Sequence, residues 1–273
     1  MKNPIETLVV AVDFSNYSRT VAHEAKQLSD SLHLPLTYVF ALEDLVASDI
    51  SAAELNDIRK TYEAKVRSEY NLSRAQRIVI RFGPAAREII AAARHEINPL
   101  IIVGYHGAHP FARFFMGSVT EALVKESPFP LWIHRGEKAS LPKKILIPSD
   151  LEQHSETALE KAQFLTDAWN SELEVYHVFQ DFYPAYDSES WLLADDIMKS
   201  WDDEKFESFK KAHPTLKVHR TRGTITQCIR DYSKNFDLIA LAGHDKNEDF
   251  LLPLNALTAQ MLHEGNKPIL LVP

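Results

Sequence analysis

Three of the chain's eight glycines, Gly104, Gly107 and Gly117, fall within one short window, and Ser118 follows the last of them. The resulting pattern, G-x2-G-x9-G-S, begins where the apolar run Pro99-Leu100-Ile101-Ile102-Val103 ends and runs into a helix-like stretch. Glycine lets backbone amides approach an anion closely and can take the left-handed φ values from which an anion-binding nest is built. A helix opening at Gly117-Ser118 adds free amide groups, a favourable dipole and the Ser118 hydroxyl. The chemistry these residues point to is phosphate binding. A purely structural role explains Gly104, which Gly243 repeats, but not Gly107 or Gly117. His106 and His109 raise two further ideas, a shared metal and a nucleotidyl-transfer signature. No third metal ligand is near in sequence, and His106-Gly107-Ala108-His109 has the wrong order and lies after the wrong strand for the transferase motif. Neither a Walker A loop nor a dinucleotide-binding G-x-G-x-x-G occurs.

The elements that must carry this loop repeat along the chain. Thr7-Leu8-Val9-Val10-Ala11-Val12-Asp13 recurs as Lys144-Ile145-Leu146-Ile147-Pro148-Ser149-Asp150, Phe82-Gly83 as Arg222-Gly223, and Pro130-Leu131-Trp132-Ile133 as Pro268-Ile269-Leu270-Leu271, at offsets of 137–140 residues. A constant offset signals duplication, with domains expected at 1–137 and 142–273. Apolar runs near 7–12, 36–42, 77–82, 99–103 and 130–134 predict strands. The 3.6-residue periods near 16–33, 52–70, 84–97 and 117–127 predict helices. Strands apolar throughout, alternating with helices, imply a parallel sheet covered on both faces. The expected fold is α/β: two tandem doubly wound domains, each a five-stranded parallel sheet with ligands at the carboxyl ends of the strands. The apolar terminal runs at 131–133 and 269–272 would leave bare edges, which native proteins usually pair or cover.

Asp13-Phe14-Ser15 with Ser18 after the first strand, Tyr38-Val39 in the second, and the complete G-x2-G-x9-G-S loop resemble the universal stress protein family, as two copies in tandem. The resemblance spans nearly the whole chain. It implies ATP as ligand with Mg as its counter-ion, Asp13 beside ribose and metal, and the backbone at Ala11 and Val39 beside adenine. It further implies that Gly104, His106, Gly107, Gly117, Ser118, Val119 and Thr120 wrap the triphosphate, in a stress-response regulator. In the second copy, alignment on Gly243 puts Lys246 at the second glycine and Asn255-Ala256 at the Gly-Ser helix start. Asp245, Glu248 and Asp249 would add carboxylates where phosphates belong. That copy is expected to be nucleotide-silent while keeping Asp150 and His177-Val178. The loop lacks a recognisable catalytic partner for His106 or Arg113, so binding is expected over turnover. A slow ATPase and a nucleotide-free interaction scaffold are the alternatives.

Composition narrows the setting. With 273 residues, 45% hydrophobic and 25% charged, the chain is globular in character. No apolar run approaches the roughly 18–20 residues that cross a bilayer, and a cytoplasmic protein is expected. Net charge is −8, with 16 basic and 16 acidic residues up to Leu141 and 14 against 22 after it, which disfavours nucleic acid as a partner. The partners expected are an adenine nucleotide and an unidentified protein, and a homodimer is allowed. The one cysteine, Cys228, reads as a small core residue. The acidic aromatic stretch from Gln180 through Trp201-Asp202-Asp203-Glu204 reads either as a loop and amphipathic helix or as a partner surface.

Overall fold

The structure, a computed structural model, describes residues 3–43, 50–106, 116–136, 140–180, 189–243, 261–262 and 266–273. Its first half runs β1 (Thr7–Ala11), α1 (Asn16–Leu32), β2 (Leu36–Leu42), α2 (Ala52–Glu69), β3 (Arg77–Phe82), α3 (Ala85–Ala93), β4 (Pro99–Gly104), α4 (Ser118–Glu126) and β5 (Leu131–His134). The second half runs β6 (Lys144–Pro148), α5 (Gln153–Trp169), β7 (Glu172–Gln180), α6 (Glu189–Ala212), β8 (Lys217–Gly223), α7 (Ile225–Ser233), β9 (Leu238–Ala242) and β10 (Ile269–Val272). The strands form one sheet in the order β3-β2-β1-β4-β5-β10-β9-β6-β7-β8. Each half is therefore wound outward from its first strand, as expected, and the two five-stranded halves are fused through β5 and β10.

Local chemistry explains the elements. Ser15 starts α1 by accepting the Ser18 N–H at 3.0 Å, and His33 ends it in the left-handed conformation at φ 56°. Ser51 and Glu54 form a reciprocal capping box at α2. Strand residues alternate between two apolar layers: Leu8, Val10, Leu100 and Ile102 pack with α1 and α5, whereas Val9, Ile101 and Val103 pack with α3 and α4. Both faces are covered, so the strands carry no polar alternation.

At the seam, β5 and β10 pair antiparallel, Ile133 with Ile269, Trp132 with Leu270 and Leu131 with Leu271. Every one of these side chains is buried. The terminal strands thus remove each other's exposed edge. Trp132 meets Trp169 of α5 edge-on at 6.2 Å, and Trp169 Nε1 donates to Ser31 Oγ of α1 at 3.0 Å, so helices of the two halves also touch. Within the first half, the buried Glu24 carboxylate accepts from Trp132 Nε1 at 3.0 Å and meets His134 Nδ1.

Candidate functional site

The sheet order reverses at β1, which pairs with β2 on one side and β4 on the other. The crevice beyond their carboxyl ends is where a doubly wound sheet offers a ligand site. The turn that leaves β1 is built by hydrogen bonds. Asp13 N–H donates to Ser18 Oγ at 3.1 Å, and Asp13 Oδ1 accepts from Ser15 N–H at 3.0 Å. Phe14 takes a left-handed φ of 64°, and its N–H donates to Tyr70 Oη at 3.2 Å. Tyr70 also bonds Ser18 Oγ at 3.0 Å, so the C-terminus of α2 pins the turn and fixes the direction of the Asp13 carboxylate. Neither Tyr70 nor this pinning carried a sequence signal.

The cavity in the crevice has a volume of about 450 Å³. Ala11, Asp13, Val39, Gly104, His106, Gly117, Ser118, Val119 and Thr120 all line it. Gly107, the remaining residue of the predicted set, lies outside the described residues, as do His109 and Arg113. One end is an apolar slot between Val39 and Ala41 of β2 and Ala85 and Ile89 of α3, with Glu43 at its rim. The other end is the start of α4. Gly117 caps that helix without a side-chain bond, leaving the first-turn amides of Ser118, Val119 and Thr120 to the cavity. Gly117 N–H donates to Tyr105 O at 2.8 Å and Thr120 Oγ1 to Gly104 O at 2.6 Å, tying the helix start to the end of β4.

Gly104 is required by close approach. A Cβ there would lie 2.7 Å from Cε1 of Tyr17, another lining residue that the sequence did not single out. Tyr17 donates its hydroxyl to His134 O at 2.9 Å, and burial pushes its pKa up, so the phenol stays neutral. Its ring stands 5.4 Å from that of His106. Behind Tyr105, the Arg135 guanidinium sits 3.9 Å over the ring and donates to Met261 O at 3.1 Å. Burial lowers its pKa to about 10. Among the described residues no group of three His, Cys, Asp or Glu gathers as a metal site, and no helix is long and apolar enough to cross a membrane.

A family model described as the universal stress protein family matches residues 4–135 and again residues 142–273. The chain belongs to the universal stress protein family. A universal stress protein from Archaeoglobus fulgidus DSM 4304 superposes with a TM-score of 0.65 at 17% identity, over 99% of this chain and 98% of that one. A functionally unknown protein from Pseudomonas aeruginosa PAO1 gives 0.68 at 13% identity, over 98% and 92%. These likenesses speak for the tandem fold. No curated relative matches the sequence.

The second universal stress protein domain keeps the turn and alters what surrounds it. Leu151 stands at φ 62° where Phe14 stands at 64°, and Asp150 Oδ1 accepts from Glu152 N–H at 3.0 Å. The hydrogen-bond ladder also corrects two sequence correspondences. Ser149 N–H donates to Tyr176 O as Val12 N–H donates to Val39 O, both at 3.0 Å, so Val39 answers to Tyr176, and His177-Val178 answer to Phe40-Ala41 instead of Tyr38-Val39. Gly243 N–H donates to Val272 O as Tyr105 N–H donates to His134 O, so Ala242, not Gly243, occupies the place of Gly104. Pro148, which has no N–H, stands for Ala11. Tyr176 is buried in a stack with Tyr232 at 4.3 Å and His219 at 5.5 Å. The predicted differences at Asp245, Lys246, Glu248, Asp249, Asn255 and Ala256 lie outside the described residues.

Two other expectations can be located. Cys228 is half-buried and packs against the apolar layer on the α7 face. Residues 181–188 of the acidic aromatic stretch lie outside the described residues; from Glu189 to Glu204 it falls on α6, which leaves Ile197 and Trp201 exposed and buries Phe209 further along.

Proposed function

We propose that the first domain binds ATP with magnesium, that the second is nucleotide-silent, and that occupancy of the single site makes the chain a stress-response regulator. The observation that carries this reading is the joining, in one cavity of about 450 Å³, of an apolar slot, the Asp13 carboxylate and the uncapped start of α4. The base enters the slot, the ribose lies at Asp13, and the phosphates take the amides of Ser118, Val119 and Thr120 together with His106, Gly104, Gly107 and Gly117. The backbone of β2 supplies the edge for the base. The Val39 carbonyl is already taken by Val12 N–H. Strand alternation turns the N–H and C=O of Ala41 to the same side, beyond the end of β1. Phe14 N–H, which a longer ladder would bring to Ala41, goes to Tyr70 instead. Ala41 thus offers one donor and one acceptor to a planar ring edge, next to Ala11 and Val39.

Magnesium fits this donor set. The ion is commonly held by one or two carboxylates plus the phosphates of the nucleotide, and Asp13 lines the cavity as that carboxylate. When bound, the ion neutralises phosphate charge. The residues of this chain hold and orient the nucleotide through backbone amides, which stabilise a ground-state triphosphate about as well as a transition state and so do not accelerate its hydrolysis. Calorimetry on the full chain tests the reading: one ATP per chain is expected, with no phosphate release near the usual enzymatic range of about 1 s⁻¹. Two equivalent sites, no binding, or turnover at that rate would overturn it.

A further inference from the structure

We infer that Glu43 selects the base, by accepting a hydrogen bond from the exocyclic amino group of adenine; this deepens the nucleotide reading and rests on it. Glu43 follows Val39 and Ala41 at the two-residue period that places their side chains on one face of β2, and it lines the same cavity. Its Oε1 accepts the N–H of Ala85, the first residue of α3, at 2.9 Å. Pro84 gives that helix no side-chain cap, so Glu43 supplies one from across the slot. The bond fixes the carboxylate at the rim and leaves Oε2 without a partner among the described residues.

A carboxylate accepts and does not donate. A base whose N1 and amino group engage the Ala41 N–H and C=O turns the outer edge of its amino group toward the open end of β2, where Glu43 stands. Adenine presents N–H there. Hypoxanthine and guanine present a carbonyl oxygen at the same ring position, which the carboxylate repels. Asp13, the other acid of the cavity, lies on the far side at the end of β1 and is assigned to ribose and metal.

The test compares wild-type protein with Glu43→Gln, titrated calorimetrically with magnesium ATP and with magnesium purine-riboside triphosphate, which carries hydrogen in place of the amine. Glutamine keeps a carbonyl oxygen for Ala85 N–H and turns its own N–H toward the base. The expected result is that Glu43→Gln weakens ATP by about tenfold, the worth of a charge-assisted bond, and leaves the purine analogue within about twofold. Equal weakening of both ligands would show that Glu43 acts through α3 or the ribose, and unchanged ATP affinity would show that it does not touch the ligand; either overturns the inference while leaving the nucleotide site standing. Wild-type protein that binds neither ligand overturns both.

Discussion

The turns after β1 and β6 have the same backbone, with Phe14 and Leu151 left-handed and an aspartate taking the N–H two residues on. The space beside them is not the same. Where the first domain has the cavity-lining Val39 and Ala85, the second has Tyr176 and Ile225, and where the first has Gly104 the second has Ala242. The seam differs in kind as well. Glu24, Trp132 and His134 form a buried polar group, whereas Lys161, Leu270 and Val272 stand at the matching positions of α5 and β10. A strand ladder and an apolar layer suffice to keep the fold, because almost any well-packed apolar set satisfies them. A ligand cavity depends on a few positions staying small, and at those positions the domains part.

The largest test of that difference is Gly117→Asp. A carboxylate at the start of α4 repels phosphate in a site of reduced dielectric, and ATP affinity is expected to fall at least about a hundredfold. Aspartate is also a better helix cap than glycine, so the melting temperature of the nucleotide-free protein should hold or rise. Loss of binding with loss of folding would mean that Gly117 serves the fold instead of the ligand.

Next in size is Glu24→Ala, which leaves Trp132 Nε1 and His134 Nδ1 buried without their acceptor. Leaving two buried groups unsatisfied is expected to cost about 2–5 kcal/mol in urea unfolding. Lys161→Ala, at the matching site, removes a half-buried amine whose pKa burial already lowers, and is expected to be close to neutral. Similar costs for the two would erase the proposed asymmetry of the seam.

How much of the fold and the site the sequence carries varies with the kind of signal. The strands of the first half were predicted to within a residue or two, because a run such as Leu8-Val9-Val10 is short, apolar on both faces and bounded by polar residues. The same property hid the register. A strand buried on both faces shows no alternation to fix its pairing, which is why Tyr38-Val39 was matched to His177-Val178, and Gly104 to Gly243, when the ladder shifts each. Glycine spacing pointed to phosphate binding after β4, and the family resemblance supplied the ten residues of which nine line the cavity. Tyr17, Tyr70 and Glu43 were missed because each acts through a contact with a residue far along the chain or through a helix end, and single tyrosines and glutamates carry no spacing pattern. The Glu24 group joins residues 108 and 110 positions apart, a separation only a fold can close.

Tyr176→Val asks whether the second domain is closed by one ring. Removing its ring from the cluster it forms with Tyr232 and His219 opens a buried void and is expected to cost about 2–4 kcal/mol. No ATP site should appear, since Pro148 still lacks the N–H of Ala11 and Ala242 still carries a methyl group where Gly104 has none. Nucleotide bound at a second site in this variant would reduce the difference between the domains to that single side chain.

The smallest effects come from exchanging the residues at the ends of β4 and β9. Gly104→Ala gives the first domain what the second has. Its Cβ would lie 2.7 Å from one carbon of the Tyr17 ring and 3.0 Å from another, so the ring must move and its bond to His134 O must stretch or break. Crowding of this order costs about 1–3 kcal/mol, and because Tyr17 lines the cavity, ATP affinity should fall with stability. Ala242→Gly makes the reverse exchange. It removes a methyl group from a strand end and adds backbone freedom to the unfolded chain, for an expected loss of about 0.5–1 kcal/mol. ATP stoichiometry should stay at one, since the end of β4 and the start of α4 are untouched. The two variants measured together separate strand chemistry from site chemistry: if Gly104→Ala lost no more stability than Ala242→Gly and kept its ATP affinity, the close contact with Tyr17 would have no part in shaping the site.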